Sequence, residues 1–139
     1  MKHTEEELIK AATEARENAY APYSDFKVGA AVETEEGDIY IGCNVESASY
    51  GLTVCAERVA IWKGISRGVT KFGRIAVVVD TDELTPPCGV CRQIIWEFCG
   101  DVPVILSNLN GKTETIMMSE LLPRAFDSKF LKEPRHDKE

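Results

Sequence analysis

The hydrophobic positions in the first half of the chain predict one helix followed by a β-hairpin. Apolar residues recur at helical spacing from residue 4 to about residue 20, behind a threonine and a glutamate spaced as in a capping box. Two strand-like runs follow at 26–34 and 39–44, and the segment Glu35-Glu36-Gly37-Asp38 between them has hairpin-turn chemistry. Small residues in the middle of the first run allow another element to approach closely. We therefore expect an antiparallel pair of strands with a helix packed on it.

The second half of the chain alternates helices with apolar strands. Helices are predicted at 55–66 and 88–99, and the nearly continuous apolar runs at 75–80 and 102–107 are typical of strands buried on both faces. The chain is expected to close with a strand at 112–117, a helical turn at 119–122 and a frayed polar tail from about 128. This order predicts a three-layer α/β/α fold around a central mixed sheet of about five strands, with residues 1–139 forming a single domain.

Composition and charge restrict the classes of function. A chain of 139 residues that is 44% hydrophobic can bury one sizeable core, and neither a signal peptide nor an apolar run of membrane length is present, so we expect no membrane partner. The net charge of -7 and the absence of a basic run disfavour nucleic-acid binding. Five cysteines is an odd number for a disulfide framework, which favours a metal or catalytic role in the cytoplasm.

Three of the cysteines lie at the predicted starts of two helices. Cys55 begins one helix, whereas Cys88 and Cys91 share one face at the start of another. A helix N-terminus lowers the pKa of a thiol and prepares it to bind metal. Three thiolates around a zinc ion leave the fourth position for water, which is typical of a catalytic site. Glu57 lies two residues beyond Cys55 and can carry protons without ligating the metal.

An arginine follows each part of this cluster in the sequence. A guanidinium that donates a hydrogen bond to a metal-bound thiolate would offset the negative charge of three sulfurs. We assign this role to Arg58, which follows Glu57, and Arg92 is a second candidate. Either side chain could instead be a solvated surface charge.

Other interpretations of the cysteines stay open. A C-x-x-C pair also occurs in structural zinc half-sites and in thioredoxin-like redox sites. Cys43 or Cys99 could complete a structural site of four cysteines, although both positions are typical of small buried apolar residues. Neither alternative gives Glu57 a role, so we prefer the catalytic interpretation. No role at the site is expected for Trp62 and Trp96, which are predicted core residues, or for His3 and His136, which are predicted tail residues.

The motifs around the cluster carry a resemblance to a known family. C-A-E-R at 55–58 and P-C-G-V-C-R-Q at 87–93 are similar to the zinc-dependent cytidine deaminases. The similarity covers roughly residues 5–127 and follows the short, homotetrameric form of that family. It also includes A-P-Y-S at 21–24, F-K-V-G-A-A at 26–31, G-C-N-V-E at 42–46, E-L-L-P at 120–123 and Phe126.

The resemblance implies an activity and a cofactor. The expected reaction is hydrolytic deamination of cytidine and 2′-deoxycytidine to uridine and 2′-deoxyuridine with release of ammonia, in pyrimidine salvage. One zinc ion per subunit, held by Cys55, Cys88 and Cys91, would supply the hydroxide that attacks C4 of the base, with Glu57 as the proton shuttle.

The resemblance also implies a substrate pocket and an assembly. Asn44 and Glu46 would bind the ribose hydroxyls, and Phe26 would pack against the pyrimidine, which the backbone around Ala56 would also meet. Ala48, Tyr50 and Phe126 are implied to reach the site of a neighbouring subunit in a homotetramer. Taken without the resemblance, Phe26 and Phe126 would be predicted as core residues.

Three other functions are also compatible with parts of this sequence. An analogue deaminase of the blasticidin S type shares both cysteine motifs, although Phe26, Asn44 and Glu46 favour a ribonucleoside. A polynucleotide-editing deaminase is disfavoured by the acidic charge and by Cys55, because those enzymes usually have histidine there. A non-enzymatic zinc module would bind zinc without an exchangeable water. A small-molecule nucleoside is the expected partner.

Overall fold

The computed structural model describes residues 2–134 and 136, which form a five-stranded mixed sheet with helices on both faces. The helices are α1 (Glu5–Arg16), α2 (Ala56–Ser66), α3 (Gly89–Cys99), α4 (Met118–Leu121) and α5 (Lys129–Lys132), and a 3₁₀ turn covers Tyr50–Leu52. The strands are β1 (Val28–Thr34), β2 (Ile39–Cys43), β3 (Phe72–Val79), β4 (Pro103–Ser107) and β5 (Thr113–Met117). The strand order is β2-β1-β3-β4-β5, and only β3 and β4 run parallel.

The two faces of the sheet bury different sets of side chains, because successive strand residues point to opposite faces. On one face, Ala31, Ala76 and Val78 pack against Leu8 and Ala12 of α1. The other face carries the larger core beneath α2 and α3, which includes Ala30, Val32, Ile75, Val77, Ala60, Ile61 and Ile95. The predicted three-layer α/β/α architecture is thereby confirmed. None of the helices in the part of the chain that the structure describes has the length and apolar character of a membrane span.

Two glycines allow helices to lie directly on the sheet. A Cβ atom at Gly29 of β1 would come within 1.9 Å of the Ala12 carbonyl oxygen in α1. At Gly42 of β2, a Cβ atom would lie 2.5 Å from the Ala56 carbonyl oxygen and 2.5 Å from the Ala60 backbone nitrogen in α2. Backbone atoms in a packed layer cannot yield by that amount, so both positions require glycine. The expected close approach of a helix to the first strand is confirmed, and β2 provides a second one.

Helix α1 begins as the sequence predicts but ends before residue 20. The Thr4 hydroxyl accepts a hydrogen bond from the Glu7 N–H at 3.1 Å, and the Glu7 carboxylate accepts one from the Thr4 N–H at 3.0 Å, which completes the capping box. The last helical residue is Arg16 because Tyr20 leaves the helix and donates its N–H to the Asn44 carbonyl at 2.9 Å. Pairing with the loop after β2 therefore outweighs the helical periodicity.

The chain after α4 packs against α3, although the sequence predicts a frayed tail from about 128. The Gln93 side chain donates a hydrogen bond to the Phe126 carbonyl at 2.8 Å, and the Trp96 indole N–H donates to the Asp127 carboxylate at 3.3 Å. Residues 129–132 of the predicted polar tail form the short, exposed helix α5. Positions 135 and 137–139 of the tail lie outside the described residues, so the tail and the extent of the single domain over 1–139 stay predictions.

A buried ion pair that the hydrophobic pattern did not predict ties the N-terminal segment to the sheet. Glu33 of β1 is fully buried, and its carboxylate accepts a hydrogen bond from Nε of Arg74 in β3 at 2.8 Å. The same carboxylate accepts the backbone N–H of His3 at 3.1 Å, and Arg74 also donates to the His3 carbonyl. His3, expected in a tail, is therefore fixed against the sheet.

Replacing Arg74 by methionine is expected to lower the free energy of unfolding by about 3 to 5 kcal/mol, because Glu33 would be left as a buried carboxylate without its charged partner. Urea unfolding followed by tryptophan fluorescence measures this difference. The control is Arg67→Met, which removes an exposed arginine at the end of α2 and should change the free energy of unfolding by less than about 0.5 kcal/mol. Equal stabilities of the two variants would contradict the importance of the pair.

Candidate metal centre and substrate cavity

The three cysteines predicted to bind metal meet where two helices begin. Cys55 and Cys88 are the residues immediately before α2 and α3, and Cys91 lies in the first turn of α3. Their Sγ atoms all lie within 4.8 Å of one another, and no other group of three potential metal ligands occurs among residues 2–134 and 136. Cys43 and Cys99 are therefore outside the cluster, which argues against a structural site of four cysteines.

The sulfur cluster fits a zinc ion. Tetrahedral zinc–sulfur bonds of about 2.3 Å place the sulfurs roughly 3.8 Å apart, so small movements of the side chains would close the cluster on an ion. Two helix N-termini direct their partial positive charge at the sulfurs and favour thiolates. Three protein ligands leave one coordination position free, as in catalytic zinc sites.

Proton sharing inside the cluster makes one thiol acidic. A hydrogen bond from the Cys91 thiol, assisted by the Arg58 guanidinium, lowers the pKa of Cys55 to about 5 although burial opposes it. The same hydrogen bond, together with burial, raises the pKa of Cys91. The lowered pKa of Cys55 favours the thiolate, which is the form of cysteine that binds a metal cation.

Glu57 lies in the first turn of α2 and is buried beside the cluster, with only 4% of its surface exposed. Burial, followed by the negative charge of Cys55, raises the pKa of its carboxyl to about 7. A carboxyl that titrates near neutrality can both accept and release a proton during one reaction cycle. Glu57 therefore has the burial and the acidity that proton transfer requires.

Arg58 has the contact with a thiolate that the sequence predicted. Its Nη2 atom donates to the Thr53 carbonyl at 3.0 Å and lies 3.7 Å from the Sγ atom of Cys55. The guanidinium also lies over the ring of Trp62, 5.8 Å from its centroid. Trp62 is 41% exposed, so its assignment to the core was wrong. The helical spacing of four residues between Arg58 and Trp62 is the signal that pairs them.

Arg92, the second candidate for this contact, holds the backbone instead. It donates from Nε to the Pro87 carbonyl at 2.8 Å and from Nη1 to the Leu121 carbonyl at 2.7 Å. These bonds fix the loop that precedes Cys88 to the end of α4. Arg92 therefore supports the cluster through the position of the loop, and Arg58 through charge.

A cavity of about 430 Å³ extends from the cluster to the surface. It lies at the end of the sheet where β1 begins and β3 ends. Phe26, Asn44, Glu46 and Ala56 line it together with Glu57 and the three cysteines. The sequence predicted no role at the site for six further residues that line it, namely Ser24, Val28, Thr53, Val77, Val79 and Thr85. Pro86 and Pro87 complete the wall. All of the predicted catalytic and metal-binding side chains therefore share one cavity with four predicted substrate-binding residues.

The predicted substrate-binding side chains are tied to one another through the backbone. Asn44 donates from Nδ2 to the Phe26 carbonyl at 2.7 Å and accepts the Val28 N–H at 2.9 Å. Phe26 is 43% exposed on the cavity wall, so the core assignment that its sequence context alone suggested is wrong. The strand predicted from residue 26 begins at Val28, because Asn44 takes up these backbone groups.

Three residues implied to act on a neighbouring subunit lie outside the main cavity. Ala48 and Tyr50 line a smaller pocket of about 170 Å³ that shares Glu46 with the main one, and Tyr50 is 93% exposed. Phe126 stacks on Phe130 with 5.9 Å between the ring centroids, and it is exposed rather than part of the core. Their role toward a neighbouring subunit stays a prediction.

Comparison with known proteins identifies relatives over most of the chain. The family model of the cytidine and deoxycytidylate deaminase zinc-binding region matches residues 2–107. A cytidine deaminase from Sporosarcina psychrophila is 51% identical over 127 residues, which is 91% of this chain and 93% of the relative. A crystal structure of cytidine deaminase from Burkholderia pseudomallei superimposes with a TM-score of 0.87 at 47% identity, covering 89% of this chain and all of the other.

A relative that is named for a different substrate is less similar in sequence. A blasticidin-S deaminase from Bacillus cereus is 34% identical over 125 residues, which is 84% of this chain and 88% of the relative. This blasticidin-S deaminase is thus similar to this chain, but less so than the cytidine deaminase from Sporosarcina psychrophila.

Proposed function

Because the chain belongs to the cytidine deaminase family, whose activity is that of a hydrolase, we propose that it deaminates cytidine and 2′-deoxycytidine to uridine and 2′-deoxyuridine in pyrimidine salvage. The observation that carries this proposal is the buried Glu57 carboxyl, which shares one cavity with the sulfur cluster and with Phe26, Asn44 and Glu46. Water adds to C4 of the base and ammonia departs, so the reaction consumes one water and needs no redox partner.

The metal and Glu57 divide the chemistry between them. A zinc ion held by Cys55, Cys88 and Cys91 would act as a Lewis acid that makes water nucleophilic at neutral pH. Glu57 takes the proton from the attacking water and passes it to N3 of the base. It then takes the proton of the hydroxyl group now on C4 and transfers it to the amino group, which departs as ammonia and leaves a carbonyl at C4. Its pKa of about 7 suits both directions of transfer.

The lining of the cavity favours a nucleoside over its phosphate ester. Phe26 offers an aromatic face to a planar base, and Asn44 and Glu46 offer hydrogen-bonding groups to sugar hydroxyls. Among the described residues that line the cavity there is no lysine or arginine that could pair with a phosphate, and Glu46 would repel one. The 3′-hydroxyl is common to cytidine and 2′-deoxycytidine, which supports activity on both.

The assembly and the compartment belong to the same proposal. Tyr50, Leu52 and Phe126 are exposed apolar side chains, and such surfaces commonly mark contacts between proteins. We therefore keep the homotetramer with sites shared between subunits, one zinc ion per subunit, as the proposed form. Reduced thiols in a metal cluster suit the reducing cytoplasm, where we place the enzyme.

A substrate panel tests the proposed function. Decrease of ultraviolet absorbance is expected on incubation with cytidine and with 2′-deoxycytidine, at kcat/KM values at least about 100-fold above those for cytidine 5′-monophosphate and blasticidin S. Preference for blasticidin S would favour the analogue deaminases, and preference for the monophosphate would contradict the argument from a lining without lysine or arginine. A zinc-loaded protein that leaves all four compounds unchanged would instead indicate a non-enzymatic zinc module.

A further inference from the structure

The turn before β1 is held by a carboxylate from the loop after β2. One oxygen of Glu46 accepts the backbone N–H groups of Tyr23 at 3.0 Å and Ser24 at 3.1 Å. Its other oxygen accepts a hydrogen bond from the Ser24 hydroxyl. These donors use three of about four acceptor sites on a carboxylate, so one remains for another donor. Glu46 is therefore fixed in orientation and still able to bind a hydroxyl in the cavity.

The Ser24 hydroxyl connects this carboxylate to the aromatic wall. While it donates to Glu46, its oxygen accepts the backbone N–H of Phe26 at 3.0 Å. The intervening residue, Asp25, has a φ of 58°, in the left-handed region that aspartate tolerates better than most residues. Asn44 holds the other side of the same residue, through the Phe26 carbonyl. The orientation of the Phe26 backbone therefore depends on Ser24 and Asn44 together.

The turn also favours the ionised form of Glu46. The Ser24 hydroxyl, and to a lesser degree the two backbone N–H groups, lower the pKa of the Glu46 carboxyl although desolvation opposes them. Glu46 consequently stays ionised and acts only as an acceptor, the role that a sugar hydroxyl requires from its partner. No group on the described part of the chain other than Ser24 donates a side-chain hydrogen bond to Glu46.

We propose that Ser24 is a positioning residue that orients the Glu46 carboxylate toward the sugar from the hydrogen-bonded turn that precedes Phe26. This inference rests on the proposed function, because it takes the ligand of the cavity to be a nucleoside. Ser24 needs no direct contact with the reacting atoms, so its contribution belongs to substrate binding and to discrimination by the sugar.

The test compares two substrates that differ in the sugar. We expect Ser24→Ala to raise KM for cytidine about tenfold with kcat changed less than about threefold, because a hydrogen bond to a charged group is lost. For 2′,3′-dideoxycytidine, which lacks the hydroxyls that Glu46 would bind, kcat/KM should fall less than about threefold. Ser24→Thr, which keeps a hydroxyl, should restore KM, and Ser66→Ala is the control for an exposed serine remote from the cavity.

The Glu46→Gln background gives a second readout that does not depend on one variant alone. If Ser24 acts through Glu46, adding Ser24→Ala to Glu46→Gln should leave KM for cytidine within about twofold of the single variant. Equal losses for cytidine and 2′,3′-dideoxycytidine, or full additivity of the two changes, would overturn the positioning role while leaving cytidine deamination intact. A wild-type protein that turns over neither nucleoside would overturn the proposed function together with this inference.

Discussion

Glu57→Gln is expected to lower kcat for cytidine by a factor of about 100 to 10,000, the range that general acid–base catalysis contributes. Glutamine keeps the size of the side chain and its buried position in the first turn of α2, but it cannot take up or release the proton. KM should change much less than kcat, because the carboxyl acts on the reacting atoms. Steady-state kinetics with zinc content measured on the same samples give the result.

The matched control for this experiment is Glu97→Gln, an exposed glutamate on α3 whose replacement should leave kcat within about twofold. Zinc content should equal that of the wild type in both variants, because Glu57 is not one of the clustered sulfur ligands. A Glu57→Gln protein that retains zinc and full turnover would show that another group moves the protons.

Cys91→Ser is expected to weaken zinc binding by more than about 100-fold, because even the outer partners of metal ligands are worth 10- to 100-fold. The serine hydroxyl is a poor ligand at neutral pH, and it would also leave the cluster with only two sulfurs from Cys55 and Cys88. Turnover of cytidine should be lost together with the metal. Zinc content after dialysis against a weak chelator, followed by kinetics with and without added zinc, measures both effects.

Cys43→Ser serves as the control for the cysteine experiment, since Cys43 lies on β2 outside the sulfur cluster. Its zinc content and turnover should match those of the wild type. If Cys91→Ser kept its zinc after dialysis, or if Cys43→Ser lost it, the assignment of the ligands would be incorrect.

The parts of this molecule that the sequence predicted well are those governed by local pattern. All five strands and the three longer helices were expected within a few residues of where they lie, because helical spacing, apolar runs and turn residues are signals carried by each segment itself. The sulfur cluster could also be predicted, since i, i+3 spacing on a helix fixes Cys88 and Cys91 on one face whatever the rest of the fold.

The parts that the sequence did not predict depend on contacts between distant segments. The last turn expected for α1 is replaced by pairing between Tyr20 and the loop after β2. In the sequence, Glu33 is an ordinary polar position in a strand. Its charged partner Arg74 is 41 residues away along the chain, so no local pattern indicates the buried ion pair. Trp62 and Phe26 are large and apolar, and their hydrophobicity alone could not show that one lies against an arginine and the other on a cavity wall.

The close packing of α2 on Gly42 makes the site depend on a residue outside the cavity. Gly42 lies on β2 and does not line the cavity. The absence of a side chain at this position nevertheless determines how close to the sheet α2 lies, the helix that begins with Ala56 and Glu57. Even the smallest exchange there would push the start of that helix away from the sheet, and the sulfur of Cys55 with it. A survey of tolerated substitutions that ranks positions by distance from the substrate would therefore overlook a residue on which the active-site geometry depends.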